Sequence, residues 1–160
     1  MKKNIPYWLC NKGTICSSDY FEDGTTIHHI AEVQLIKLKD GRYQFSQDGV
    51  FKRILHGYDY TLIDRKIGAV LKTYVPDQIE IADIVIFRRA TNEEWSNYCE
   101  LKMKHKIDYT QYQSTESSGL KIYSLLDNLI YISPDLKHKI EEALEDISDI
   151  EFKRGVPAIG

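Results

Sequence analysis

The stretch LIYISPDLKHKIEEALEDISDIEF, residues 129–152, reads as strand, helix, strand. Ile130, Tyr131 and Ile132 form a β-prone run, Ser133 is a helix N-cap, and Pro134 takes the first helical position, where its missing N–H costs nothing. Leu136, Ile140, Ala143, Leu144 and Ile147 then recur at helical spacing, which predicts a helix over 134–147, before Ile150-Glu151-Phe152 resumes a strand. An earlier stretch repeats this plan. Leu62-Ile63 leads to a capping Asp64, Ile67, Val70, Leu71, Tyr74 and Val75 follow at helical spacing, and Ile79-Glu80-Ile81 comes after a Pro76-Asp77 turn. The repetition predicts two related strand-helix-strand units, with helices near 65–75 and 134–147 holding equivalent positions on the sheet. Gly68, inside the first helix, costs about 1 kcal/mol relative to Ala, which either argues against that helix or implies close packing against a neighbour.

Around these units the pattern is mainly β. A short strand is expected near Tyr7 to Leu9, and Ile27 to Leu38 is β-rich. Asp40-Gly41 then marks a tight hairpin that places Val33, Leu35, Tyr43 and Phe45 on a sheet. Val50 to Leu55 fits either strand or helix. Ile84 to Phe87 is a continuous apolar run, expected as a central strand covered on both faces. Thr91 with Glu94 matches a capping box, predicting a helix through Trp95, Tyr98 and Cys99 toward Leu101 to Met103. Asp108 to Gly119 reads as a loop, Leu120 to Leu126 and Leu129 to Ile132 as a hairpin around Asp127-Asn128, and Lys153 to Gly160 as an irregular tail. The expected fold is α+β: one domain over residues 1–160, a mainly antiparallel or mixed sheet with the two units packing their helices on it.

Composition narrows the partners. The 160 residues are 42% hydrophobic and 28% charged, with a net charge of −3, so no global basic field draws in nucleic acid. No apolar run approaches the roughly 20 residues of a membrane span. Ile5 to Cys10, broken by Pro6, is too short for the core of an export signal. Cys10, Cys16 and Cys99 make no disulfide framework, and a reducing cytoplasm is expected.

Chemistry-bearing patterns are few. Pro76-Asp77 and Glu100-Leu101-Lys102 are the pieces of a metal-dependent nuclease site, in which Asp77 and Glu100 would hold a divalent cation and Lys102 would orient the attacking water. The same residues also read as a helix-ending turn and part of the helix that begins at Thr91. His28 and His29, adjacent on a strand, point to opposite faces, and His56, His105 and His138 lack the spaced companions of a zinc site. No metal or other cofactor is expected. Lys102, Lys104, His105 and Lys106 read as a solvated face. The last helix carries Glu141, Glu142 and Glu145 opposite its apolar stripe, with Asp149 beyond. Carboxylates at a helix C-terminus face the negative end of the dipole, so local stability does not explain them; solubility or a basic partner does.

The run Leu129 to Leu136, closing at Ile150-Glu151-Phe152, resembles the end of a family of bacterial polymorphic-toxin immunity proteins first catalogued as a family of unknown function. Asp83 to Tyr98, with Ile86-Phe87-Arg88-Arg89-Ala90-Thr91, is similar to its middle section, while Asp149 stands where the family pattern has glycine. The resemblance covers about half the chain. It implies a non-enzymatic cytoplasmic protein that binds and blocks one cognate toxin, and it carries over no binding residues. On charge alone, Glu141, Glu142, Glu145 and Asp149 are the candidate contacts with that toxin.

Overall fold

The computed structural model describes residues 4–13, 32–57 and 59–156. In chain order the strands are β1 (Tyr7–Asn11), β2 (Gln34–Lys37), β3 (Tyr43–Gln47), β4 (Ile54–His56) and β5 (Thr61–Asp64). Helix α1 (Arg65–Tyr74) and a 3₁₀ turn (Pro76–Gln78) follow, then β6 (Ile79–Asp83), β7 (Ile86–Arg88), β8 (Glu93–Trp95), β9 (Tyr98–Met103) and β10 (Lys106–Ile107). After a second 3₁₀ turn (Tyr112–Ser114) come β11 (Ile122–Leu125), β12 (Leu129–Ile132), α2 (Pro134–Ala143) and β13 (Ile150–Lys153). They build an α+β fold of three sheets: a terminal sheet β10-β11-β12-β1-β13, a central sheet β4-β5-β9-β6, and an outer sheet β2-β3-β7-β8. The expectation of strand in Ile27 to Ala31, and the residues Cys16, His28 and His29, lie outside the described residues.

The two predicted units are present and share one topology. In the first, α1 carries the chain from β5 to β6, and β9 lies between those strands, antiparallel to both. In the second, α2 carries it from β12 to β13, and β1 fills the gap in the same way. The registers agree residue by residue. Leu101 faces Ile81 as Leu9 faces Phe152, and Leu62 faces Glu100 as Tyr131 faces Trp8. Each unit is extended by a hairpin strand, with Ile54 opposite Ile63 and Ile122 opposite Ile132.

Local chemistry explains both helices. The Asp64 carboxylate accepts from the Ile67 N–H at 2.8 Å, the Ser133 hydroxyl accepts from the Leu136 N–H at 3.3 Å, and Pro134 opens α2. Helix α1 closes where the Val75 N–H reaches the Leu71 carbonyl at 2.8 Å and Pro76 forbids another turn. Gly68 packs as closely as its composition implied: a Cβ there would sit 2.7 Å from the Cys99 sulfur.

Strand alternation sorts the side chains into three cores. One is shared by both units: α1 supplies Ile67, Val70 and Leu71, α2 supplies Leu136 and Ile140, and the sheets supply Leu9, Ile63, Leu101, Ile130 and Ile132 among others. The second lies between the opposite face of the central sheet and the outer sheet, around Tyr43, Leu62, Ile86 and Tyr98. The third covers the far face of the terminal sheet, where Trp8 and Tyr131 stack and Tyr112 meets Tyr131 edge-on.

Three expectations need correction. The helix expected from Thr91 is two strands, β8 and β9: Asn92 is left-handed (φ 58°), which turns the chain back before a helix can propagate. Ile84 to Phe87 contributes only a short strand with one apolar face, since Ile84 and Ile86 are buried while Val85 and Phe87 are half-exposed. Helix α2 ends at Ala143, four residues short of Ile147. No basic residue stands in its last turn to offset the dipole, the Asp146 side chain accepts from the Ser148 N–H at 2.9 Å, and the Arg53 guanidinium takes the Asp146 carbonyl at 2.7 Å.

Candidate functional site

Where α2 stops short, its connection to β13 folds over the first turns of α1 and leaves a cleft of about 820 Å³. The apolar part of its lining is Ala69 and Val70 of α1 with Ala143 and Leu144. One bank carries Arg65 and Lys66, and the other carries Glu145, Asp146 and Asp149. Arg53, Asp64 and Asn97 complete the lining.

Arg53 fixes the geometry of this place. Its side chain is only 14% exposed, its Nε is ion-paired with Asp64, and one terminal nitrogen reaches Asp149 at 3.4 Å. Because Asp64 also caps α1, one carboxylate joins the first unit's helix to the second unit's loop through a single guanidinium. Burial works against the charge on Arg53, but the hydrogen bond and ion pair with Asp64, helped by Asp149, more than offset it and raise its pKa. On the facing loop, the Ser148 backbone N–H holds the Asp146 carboxyl below its ordinary range. Arg65 is also committed, donating to the Ser96 carbonyl at 2.5 Å and to Asp83 at 2.9 Å.

The four candidate acidic residues do not form one helical face. Glu141 and Glu142 lie in the last turn of α2, whereas Glu145 and Asp149 belong to the loop beyond it. Glu141 is half-buried and held by Lys137 at 3.1 Å, with His138 at 3.7 Å, and Asp149 answers Arg53. Glu142 and Glu145 are exposed, and neither forms an ion pair with another described residue. Of the four, Glu145 and Asp149 line the cleft. What sequence reading missed is the opposite bank: Arg53, Arg65 and Lys66 reach this place only through tertiary packing, although the polar placement of Arg65, Lys66 and Lys72 on α1 was legible from its period.

The nuclease residues are not brought together. Asp77 is exposed in the 3₁₀ turn before β6, while Glu100 lies opposite Ala82, three residues and about 10 Å into that strand. Glu100 sits on a strand, not on a helix. Its carboxylate takes the Tyr43 hydroxyl and the Lys37 ammonium (2.8 Å), with Lys102 at 3.9 Å. Burial pushes this carboxyl up, but the bonds from Lys37 and Tyr43 prevail and hold it below its ordinary value. Burial, together with the same contact, drives the Tyr43 phenol well above its ordinary pKa. A smaller cleft of about 430 Å³ opens beside Glu100, lined by Asp59, Lys102, Lys106 and Asp127 among others; there Lys106 pairs with Asp127 at 2.5 Å. Burial pushes the His56 imidazole down to about 4, so it is neutral at physiological pH. Among the described residues no group of three or more His, Cys, Asp or Glu is placed to hold a metal ion, and no helix is long and apolar enough to cross a membrane. Comparison of the chain with protein-family models, with curated proteins and with solved structures finds no match in any of the three.

Proposed function

We propose that this protein is a cytoplasmic immunity protein that binds a cognate bacterial toxin domain and neutralises it without catalysis. The observation that carries the reading is the cleft beside α2, whose acidic rim holds Glu145 exposed and without an ion pair to another described residue. A rim of this kind suits the basic surface of a toxin that acts on nucleic acid, and it would raise the association rate more than the final affinity. The sequence resemblance in the middle and C-terminal parts points to the same class of partner.

A metal-dependent nuclease is the alternative, and it would need Asp77, Glu100 and Lys102 to converge on one cation. Their separation along β6 and the engagement of Glu100 by Lys37 and Tyr43 weigh against it. The immunity reading expects the toxin to be encoded immediately upstream, and the test is association with that purified protein. Glu145→Gln on the rim, combined with Glu142→Gln beside it in the last turn of α2, is expected to slow association about threefold at low salt, with little difference at high salt and no change in the melting midpoint. Unchanged rates would move the contact away from this rim, and Mg²⁺-dependent cleavage of DNA or RNA, lost in Asp77→Ala, would favour the nuclease.

A further inference from the structure

The lining of the cleft points to a more specific partner surface than a basic one. Once internal pairs are cancelled, Arg53 is answered by Asp64 and Asp149, and Arg65 by Asp83. Among the described residues this leaves Lys66 on α1 and Glu145 with Asp146 on the facing loop, all exposed and without an ion pair, with Ala69, Val70, Ala143 and Leu144 as the apolar part of the lining. The division extends along the helices. The exposed charges of α1 are Arg65, Lys66 and Lys72, and the exposed carboxylates of α2 are Asp135 and Glu142, with Lys137 and Lys139 half-buried between them. Aligning the two caps, Asp64 with Ser133, sets Lys66 against Asp135 and Lys72 against Glu141, two positions of opposite sign.

We propose that this cleft is a dipolar docking site, resting on the toxin-binding reading above, and that it takes a protein segment presenting a cationic side chain to Glu145 and a carboxylate to Lys66. The apolar part of the lining, Ala69, Val70, Ala143 and Leu144, would cover the stems between those charges. A uniformly basic partner would gain at Glu145 and lose at Lys66, because like charges brought together in a closed interface are strongly unfavourable. The partner's contact surface is therefore divided in sign, in register with the helix pair.

The sign of one substitution separates the two ideas. Association of the purified protein encoded immediately upstream is measured with the full chain carrying Lys66→Glu, Lys66→Gln or Glu145→Lys, each first checked for an unchanged melting midpoint. The dipolar site expects Lys66→Glu and Glu145→Lys each to weaken binding by on the order of tenfold, with Lys66→Gln weakening it less. Tighter or unchanged binding by Lys66→Glu overturns the dipolar site and leaves a purely acidic contact standing. Unchanged binding by Glu145→Lys overturns it too. Absence of binding by the unaltered chain overturns both the site and the toxin-binding reading. Should Lys66→Glu fail to fold, Lys66→Gln decides on the same criterion.

Discussion

The two strand-helix-strand units agree on one side of their sheets and part company on the other. Toward the helices the inserted strand offers Leu101 in the first unit and Leu9 in the second, each facing the shared core. On the reverse side, the place that Trp8 holds in the terminal sheet is held by Glu100 in the central one, and Lys102 stands where Cys10 does. Trp8 stacks on Tyr131 beneath the segment around Tyr112, whereas Glu100 meets Lys37 and Tyr43 of the outer sheet. A crossover helix thus constrains the face it covers to apolar residues. What lies on the other face sets its chemistry, and a carboxylate is tolerated there because two donors meet it.

The strongest way to break this comparison is to truncate the equivalent leucines. Leu9→Ala and Leu101→Ala are each expected to cost about 3 kcal/mol in urea unfolding, since both are buried in the same core. A cost below about 1 kcal/mol for Leu9→Ala would mean that β1 is an accessory strand and not the counterpart of β9.

A smaller effect probes the reverse faces. Glu100→Gln is expected to cost about 1 kcal/mol at neutral pH, because it removes the charge of a buried carboxylate that meets the partly exposed Lys37 ammonium and the Tyr43 hydroxyl. The pH dependence has a definite sign. A carboxyl held below its ordinary value of 4.5 contributes stability that is fully present above that value and is lost as pH falls through the folded-state pKa. Denaturant midpoints of the two proteins should therefore converge below pH 4.5. A gap that stays constant into acid would show that the carboxylate's charge is not what matters.

An effect of similar size sharpens the match between the helices. Gly68 of α1 corresponds to Lys137 of α2, and the strand residue beneath each is Cys99 and Tyr7 respectively. In the second unit the Lys137 ammonium lies 5.2 Å from the Tyr7 ring, while in the first there is no room for a Cβ. Gly68→Ala is expected to destabilise by about 1 kcal/mol net, overpacking outweighing the gain in helix propensity. In a double-mutant cycle Cys99→Ala should recover most of that loss. Simple additivity would place the strain elsewhere.

These units were legible because their signals are local. Asp64, Ser133 and Pro134 mark the starts, and the spacing of Ile67, Leu71, Leu136 and Ile140 gives the helical period. The inserted strands were not, because β1 and β9 find their neighbours through long-range pairing that no periodicity encodes. Thr91 misled for a related reason. Its hydroxyl does accept from a backbone N–H, that of Glu93 at 3.4 Å, and it donates to the Glu93 carboxylate at 2.8 Å, but in a tight turn instead of a helix. Likewise Ile147 packs against the shared core, as its spacing suggested, from a loop instead of a helical turn. Of the candidate site, the carboxylates could be named from the chain alone; Arg53 and Lys66, which give the cleft its second sign, needed the fold.

The position of β1 also sets an order of assembly. Every strand of the central sheet comes from one contiguous stretch, Ile54 to Met103, so that unit can complete itself while later residues are still being added. The terminal sheet has no such freedom: the Cys10 side chain meets the Glu151 carbonyl across 141 positions of sequence. Closing so long a loop before any pairing rewards it is slow. During synthesis β1 therefore waits with both of its edges unsatisfied until Leu129–Ile132 and Ile150–Lys153 have emerged, and the last act of folding is to thread one of the earliest strands between two of the latest.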